Sequence, residues 1–160
     1  MKLSDLIRRE LVCLDIESTE KTGSIVEMAE SFARERIIGD KKIFLMEVLG
    51  REKAGSSGVG EGVAIPHART VMVEEIIIAF GRSRRGISFE SFDGKPVHLI
   101  FLIASPASDN ELYLRTLGCL SRFLREREYR EGLLQAKTVD EVFSTLNSFE
   151  ERLPSLSALF

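Results

Sequence analysis

Apolar residues recur at helical spacing through Ile25, Met28, Ala29, Phe32 and Ala33, which predicts an amphipathic helix from about Glu20 to Ile37. Asp40 then stands where an N-cap belongs, ahead of Phe44, Leu45, Val48 and Leu49, so a second helix is expected to about Arg51. The pattern breaks after it. Gly55-Ser56-Ser57-Gly58-Val59-Gly60-Glu61-Gly62 holds four glycines in eight positions, a density that suits neither helix nor strand and reads as a loop. Val63-Ala64-Ile65 reads as a short strand that Pro66 must end, because proline has no donor for a ladder. Glu75 to Phe80 is a β-branched run, and Val97 to Ile103 is apolar at nearly every position, as in a strand covered on both faces. Between those two strands Asp93-Gly94 signals a turn, while Pro96 argues against a tight two-residue hairpin. Ser108 with Glu111 has the spacing of a capping box, opening a helix whose stripe is Tyr113, Leu117, Leu120 and Leu124. Thr138 with Glu141 opens another, carrying Val142, Phe143 and Leu146. Helices and strands are interleaved, so the class is α/β: a mixed sheet with helices on both faces.

Composition narrows the class without changing it. A chain of 160 residues, 44% hydrophobic and 29% charged, fits one domain with one core, expected over residues 1–150 with a C-terminal tail at 151–160. The net charge of −3 comes from 22 basic and 25 acidic residues scattered along the chain, with no basic stripe, so nucleic acid is not an expected partner. No apolar run reaches the roughly 18 residues of a membrane span, and Met1-Lys2-Leu3-Ser4-Asp5 lacks the apolar stretch of a signal peptide. A cytoplasmic protein without membrane insertion is expected. Cys13 and Cys119 lie in apolar segments without CxxC spacing or a His/Cys cluster for a metal, and read as buried thiols.

The candidate chemistry is concentrated in one stretch, from Arg51 through the glycine-rich segment to Val63-Ala64-Ile65-Pro66-His67-Ala68. Backbone N–H groups in a glycine-rich turn form an anion-binding nest, and a guanidinium makes planar, bidentate contacts to phosphate oxygens. Neutral imidazole supplies a nucleophile near pH 7 that needs no metal, and a phosphorylated ring remains a good donor. Phosphoryl transfer asks the protein mainly for in-line positioning and for donors around the equatorial oxygens. On these residues alone two readings of His67 stand, since a lone histidine after a strand is more often a hydrogen-bonded structural residue than a nucleophile. Nucleotide binding fits poorly: the loop lacks the Lys-[Ser/Thr] end of a P-loop and follows a helix, not a strand.

The run from Arg51 to Ala68 resembles the phosphorylation-site signature of the fructose/mannitol type of phosphotransferase-system enzyme IIA, and the resemblance continues through Phe92-Asp93-Gly94-Lys95-Pro96-Val97 and the Leu114, Leu117, Leu120 helix. It implies that His67 accepts a phosphoryl group from an HPr-like carrier and that Arg51 contacts the phosphate. It also implies that Ser57 and Gly58 line the phosphoryl pocket with a hydroxyl and amides, and that no cofactor is needed. Glu52 and Glu61 fit the pattern as well, with an equally good reading as surface carboxylates that keep the loop soluble. One position departs. The family's usual second histidine is here Tyr113, which either donates a hydrogen bond to the phosphate or merely opens the core stripe of its helix. His98 does not match that position and reads as a partly exposed strand-start residue. Three functions follow from the resemblance: a phosphocarrier with a regulatory role toward a target protein, a sugar-specific carrier delivering to an enzyme IIB, or a binding module that is not phosphorylated. No IIB or membrane domain stands in these residues, which tilts the expectation toward regulation.

Overall fold

The structure, a computed structural model, describes residues 2–153. In chain order it has α1 (Leu3–Leu6), β1 (Ile7–Cys13), α2 (Lys21–Arg34), α3 (Lys41–Lys53), β2 (Gly58–Gly60), β3 (Val63–Ala64), β4 (His67–Thr70), β5 (Ile77–Ile87), β6 (Val97–Pro106), α4 (Asn110–Arg125), α5 (Arg127–Gln135) and α6 (Val139–Arg152). Strand β6 is the axis of a mixed sheet ordered β1-β5-β6-β3-β2. On one side it pairs antiparallel with β5. On the other it pairs in parallel, first with β3, where Val63 faces Leu99, and then with β4, where His67 faces Ile103. The register is therefore the same before and after Ile65-Pro66. The strand expected to end at Ile65 stops at Ala64 and resumes at His67, because proline interrupts the donor ladder without moving the chain off the sheet edge.

Alternate residues along β5 and β6 feed two cores, one on each face. Ile77, Ala79, Ile100, Leu102 and Ala104 pack with Ile25, Met28, Phe32, Phe44 and Val48 from α2 and α3. Ile78, Phe80, Leu99, Phe101 and Ile103 pack with Leu3, Leu120, Phe123, Leu133, Val142 and Phe149 from α1, α4, α5 and α6. Full burial of one such side chain contributes about 1.5–3 kcal/mol, so both helical layers are held chiefly by these contacts. Asp40 caps α3 by accepting from the Ile43 amide at 3.1 Å, and Thr138 caps α6 through the Glu141 amide at 3.2 Å, both as expected.

Several elements depart from the expectation. Gly58–Gly60, expected as loop, forms β2 against β3, so tertiary pairing overrides the low strand propensity of glycine. Gly60, Glu61 and Gly62 all take positive φ in the turn that follows, and Asp93 Oδ2 accepts from the Glu61 amide at 3.1 Å. Strand β5 runs on to Ile87 through a polar segment whose Arg82 and Ser83 are nonetheless buried. The cap of α4 is Asp109, whose carboxylate accepts from the Leu112 amide at 3.0 Å, and not Ser108. An aspartate caps as well as serine and adds charge that suits the helix N-terminus. Cys13 and Cys119 are half-buried, not fully buried, and burial raises both thiol pKa values. Helix α6 passes the expected boundary at residue 150 and reaches Arg152; residues 154–160 of the expected tail lie outside the described residues.

Candidate active site

His67 opens β4 with its ring on the α4 side of the sheet, in the position opposite Ile103. It is buried, 6% exposed, and not at the loop edge that a residue following Ile65-Pro66 suggests. Nδ1 lies 2.9 Å from the Ile65 carbonyl oxygen, which can only accept, so Nδ1 carries the proton. Nε2 is left with its lone pair, and the Tyr113 hydroxyl donates to it at 2.6 Å. Burial pushes the His67 pKa below the ordinary histidine value, with the Arg51 charge adding to the lowering, while the Ile65 bond and the Glu52 charge oppose it. The neutral ring with a free Nε2 lone pair is thus the resting form near pH 7. That is the form a nucleophile needs.

Tyr113 lies in the first turn of α4, with its ring centroid 5.2 Å from that of His67. Its phenol faces the histidine and does not close the core stripe. Burial raises the phenol pKa, against the opposing charges of Arg51 and Arg69, so Tyr113 remains a neutral donor. Arg51 ends α3 with an exposed guanidinium whose Nη1 donates to the Gly55 carbonyl at 3.0 Å. Its charge reaches both His67 and Tyr113. Arg69 stands outside the sequence motif, and the strand period of two puts it on the same face as His67. Its guanidinium carbon lies 5.9 Å from the Tyr113 ring centroid, and Nη2 donates to the Ala107 carbonyl at 2.7 Å.

The glycine-rich segment is built differently from an open anion nest. The Ser57 amide donates to Glu52 Oε2 at 3.1 Å and the Ser57 hydroxyl donates to Glu52 Oε1. The Gly58 amide donates to Ser56 Oγ at 3.1 Å, and Ser56 in turn donates to the Phe89 carbonyl at 3.0 Å. These donors hold the loop's shape and are all satisfied within the protein. A Cβ on Gly58 would come within 2.8 Å of the Ser91 backbone, so only glycine lets the two segments close. Glu52, read equally well as a surface carboxylate, is 6% exposed and pairs with Lys21 Nζ at 2.7 Å. Glu61 is on the surface, with an oxygen 3.6 Å from Arg130. His98 is half-buried near the start of β6, its Nδ1 bonded to the Ser83 carbonyl at 2.8 Å. Among the described residues no group of three or more His, Cys, Asp or Glu is placed to hold a metal ion. Nor is any helix among them long and apolar enough to cross a membrane.

A buried neutral imidazole whose unprotonated nitrogen meets a phenol, within the field of an exposed guanidinium, is a frame for an anionic electrophile. A family model described as "Phosphoenolpyruvate-dependent sugar phosphotransferase system, EIIA 2" matches residues 5–149. The chain belongs to this family. As an EIIA domain it is a phosphocarrier component of a phosphotransferase system. It is similar to the fructose-specific EIIABC component of Bacillus subtilis (strain 168), at 38% identity over 151 residues, which cover 94% of this chain and 24% of that protein. The EIIA chain thus spans a minor part of that relative's length. It is also similar to the nitrogen regulatory protein of Bradyrhizobium diazoefficiens, 33% identical over 147 residues that cover 91% of this chain and 95% of the relative. The crystal structure of the nitrogen regulatory protein IIA-Ntr from Neisseria meningitidis matches with a TM-score of 0.84 at 31% identity, covering 90% of this chain and 98% of that one.

Proposed function

We propose that this EIIA domain works in the cytoplasm, accepts a phosphoryl group on His67 Nε2 from an HPr-like phosphoprotein, and passes it to, or presents it to, a second protein. The observation that carries the reading is the pair of contacts on one ring: Nδ1–H is tied to the Ile65 carbonyl while Nε2 keeps its lone pair toward Tyr113. In the transfer step the Nε2 lone pair forms the bond to phosphorus as the bond to the donor's nitrogen breaks, and the donor ring recovers its own lone pair. The Tyr113 hydroxyl leaves Nε2 and donates to a phosphoryl oxygen. Arg51 matches a second oxygen and offsets the developing charge. Arg69, anchored to the Ala107 carbonyl, adds a fixed positive field.

Relatives named for fructose and for nitrogen regulation point to two outlets. The regulatory outlet is supported by the likeness to the Neisseria IIA-Ntr fold at 31% identity. There a charge of about −1.5 to −2 gained on His67 changes which protein docks at the site. Incubation with phosphoenolpyruvate, enzyme I and HPr, followed by peptide mapping, should place acid-labile phosphate on His67. Mixing the labelled protein with a fructose-type IIB separates the outlets: label retained supports regulation, and label passed to the IIB supports transport. Label on His98 or a serine, with none on His67, overturns the reading.

A further inference from the structure

Behind His67 a continuous line of hydrogen bonds runs to a buried ion pair. Lys21, at the start of α2, and Glu52, next to Arg51 in the last turn of α3, meet at 2.7 Å with side chains 15% and 4% exposed. The Glu52 carboxylate takes both the amide (3.1 Å) and the hydroxyl of Ser57. The Ser57 carbonyl accepts from the Ile65 amide at 3.0 Å. The Ile65 carbonyl accepts from His67 Nδ1 at 2.9 Å. Each link fixes the next: a carboxylate with three donors cannot rotate, Ser57 cannot turn its peptide, and Ile65 sits across a proline from the ring it holds. An ion pair this deeply buried is rarely a net source of stability, because desolvation offsets the attraction. Its retention beside Arg51 therefore points to orientation.

We infer that Glu52, locked by Lys21, is a positioning residue for phosphoryl transfer, acting through Ser57 and Ile65 to hold His67 as the Nδ1–H tautomer with Nε2 aimed at the incoming phosphoryl group. The inference rests on His67 being the acceptor. Outer partners that orient a metal-ligating imidazole matter by about 10- to 100-fold, and the same scale is expected for a ring that must aim Nε2 at phosphorus.

Two variants test it. Glu52→Gln keeps an oxygen for Ser57 but leaves Lys21 without its counter-charge and so lowers stability; per folded molecule it should lose no more than about threefold in transfer rate, a loss of the order of one neutral hydrogen bond. Lys21→Met/Glu52→Leu replaces the pair by apolar groups of similar size, a change that leaves folding stability near wild type in comparable cases. It removes both acceptors from Ser57. Its transfer from phospho-HPr should slow by about 10- to 100-fold per folded molecule. The ring ¹⁵N spectrum of His67, recorded without phosphate, should show Nδ1 losing part of its proton in the double variant and keeping it in Glu52→Gln. Wild-type transfer together with an unchanged His67 spectrum in the double variant would overturn the inference. So would a slowing in proportion to lost folded fraction alone. The spectrum does not depend on phosphorylation, so a failure of His67 as acceptor appears separately, as an unlabelled wild-type protein with the tautomer shift intact.

Discussion

The chain's two histidines are held in nearly the same way in very different surroundings. Nδ1 of His67 meets the Ile65 carbonyl at 2.9 Å, and Nδ1 of His98 meets the Ser83 carbonyl at 2.8 Å. Both therefore present Nε2 as the unprotonated nitrogen, which in His67 accepts from the Tyr113 hydroxyl. They stand on neighbouring strands, yet His98 is five residues along β6 from Ile103, the residue facing His67, which puts them roughly 16 Å apart at ordinary strand rise. Around His67 Nε2 stand a phenol and the charges of Arg51 and Arg69. The His98 ring instead packs against Gly86, where an added Cβ would lie 3.4 Å from its Nε2. A fixed tautomer is common in proteins. What separates the two rings is their surroundings: a phenol and two guanidinium charges near His67, and glycine backbone at His98.

That contrast can be broken in steps of decreasing size. His67→Ala should abolish phosphate uptake while His98→Ala leaves it at the wild-type rate, measured with labelled phosphoenolpyruvate through enzyme I and HPr. Equal uptake by both variants would erase the distinction. Arg51→Lys should slow transfer by about 10- to 1000-fold, since an ammonium cannot reproduce a planar fork and one preorganised donor is lost. Stopped-flow transfer at several salt concentrations checks it. Tyr113→Phe keeps the ring and removes one neutral hydrogen bond of about 0.5–1.5 kcal/mol, so transfer should fall by about two- to tenfold with little change in unfolding midpoint.

The smallest effect is on stability against pH. Burial lowers the His67 pKa in the folded protein, so below about 6.5 the unfolded chain binds a proton there that the folded chain resists. Stability from this residue is complete above the unfolded value and is lost as pH falls toward the folded one. Wild type should therefore lose melting temperature faster than His67→Gln on acidification below pH ~6.5, and parallel curves would remove the claim.

The candidate site residues were legible because the chain writes them almost contiguously, from Arg51 to His67. Tyr113 was legible as a departure, and the structure places its hydroxyl 2.6 Å from His67 Nε2. The supporting structure was not legible, for a physical reason. A glutamate reads as solvated unless its partner is visible, and Lys21 belongs to another helix. The donors of a glycine-rich turn carry no mark in the sequence of what they bond, and in the structure the Ser57 amide and hydroxyl donate to Glu52. Strand β1 escaped because Ile7–Cys13 carries two arginines and a glutamate, tolerated on a sheet edge that faces water. Strand β5 was cut short at Phe80 because Arg82 is polar, although its guanidinium is buried against the carbonyls of Leu14, Leu133 and Leu134.

The central claim is that Nε2 of His67 is the acceptor because Nδ1 is already committed to Ile65. Long-range ¹H–¹⁵N correlation spectra of the ¹⁵N-labelled protein, before and after incubation with phosphoenolpyruvate, enzyme I and HPr, test it directly. Expected are a protonated Nδ1 and an unprotonated Nε2 on His67 beforehand, a phosphorus-coupled Nε2 afterwards, and an unchanged His98. Phosphorus coupling at Nδ1 of His67, or at either nitrogen of His98, would contradict it.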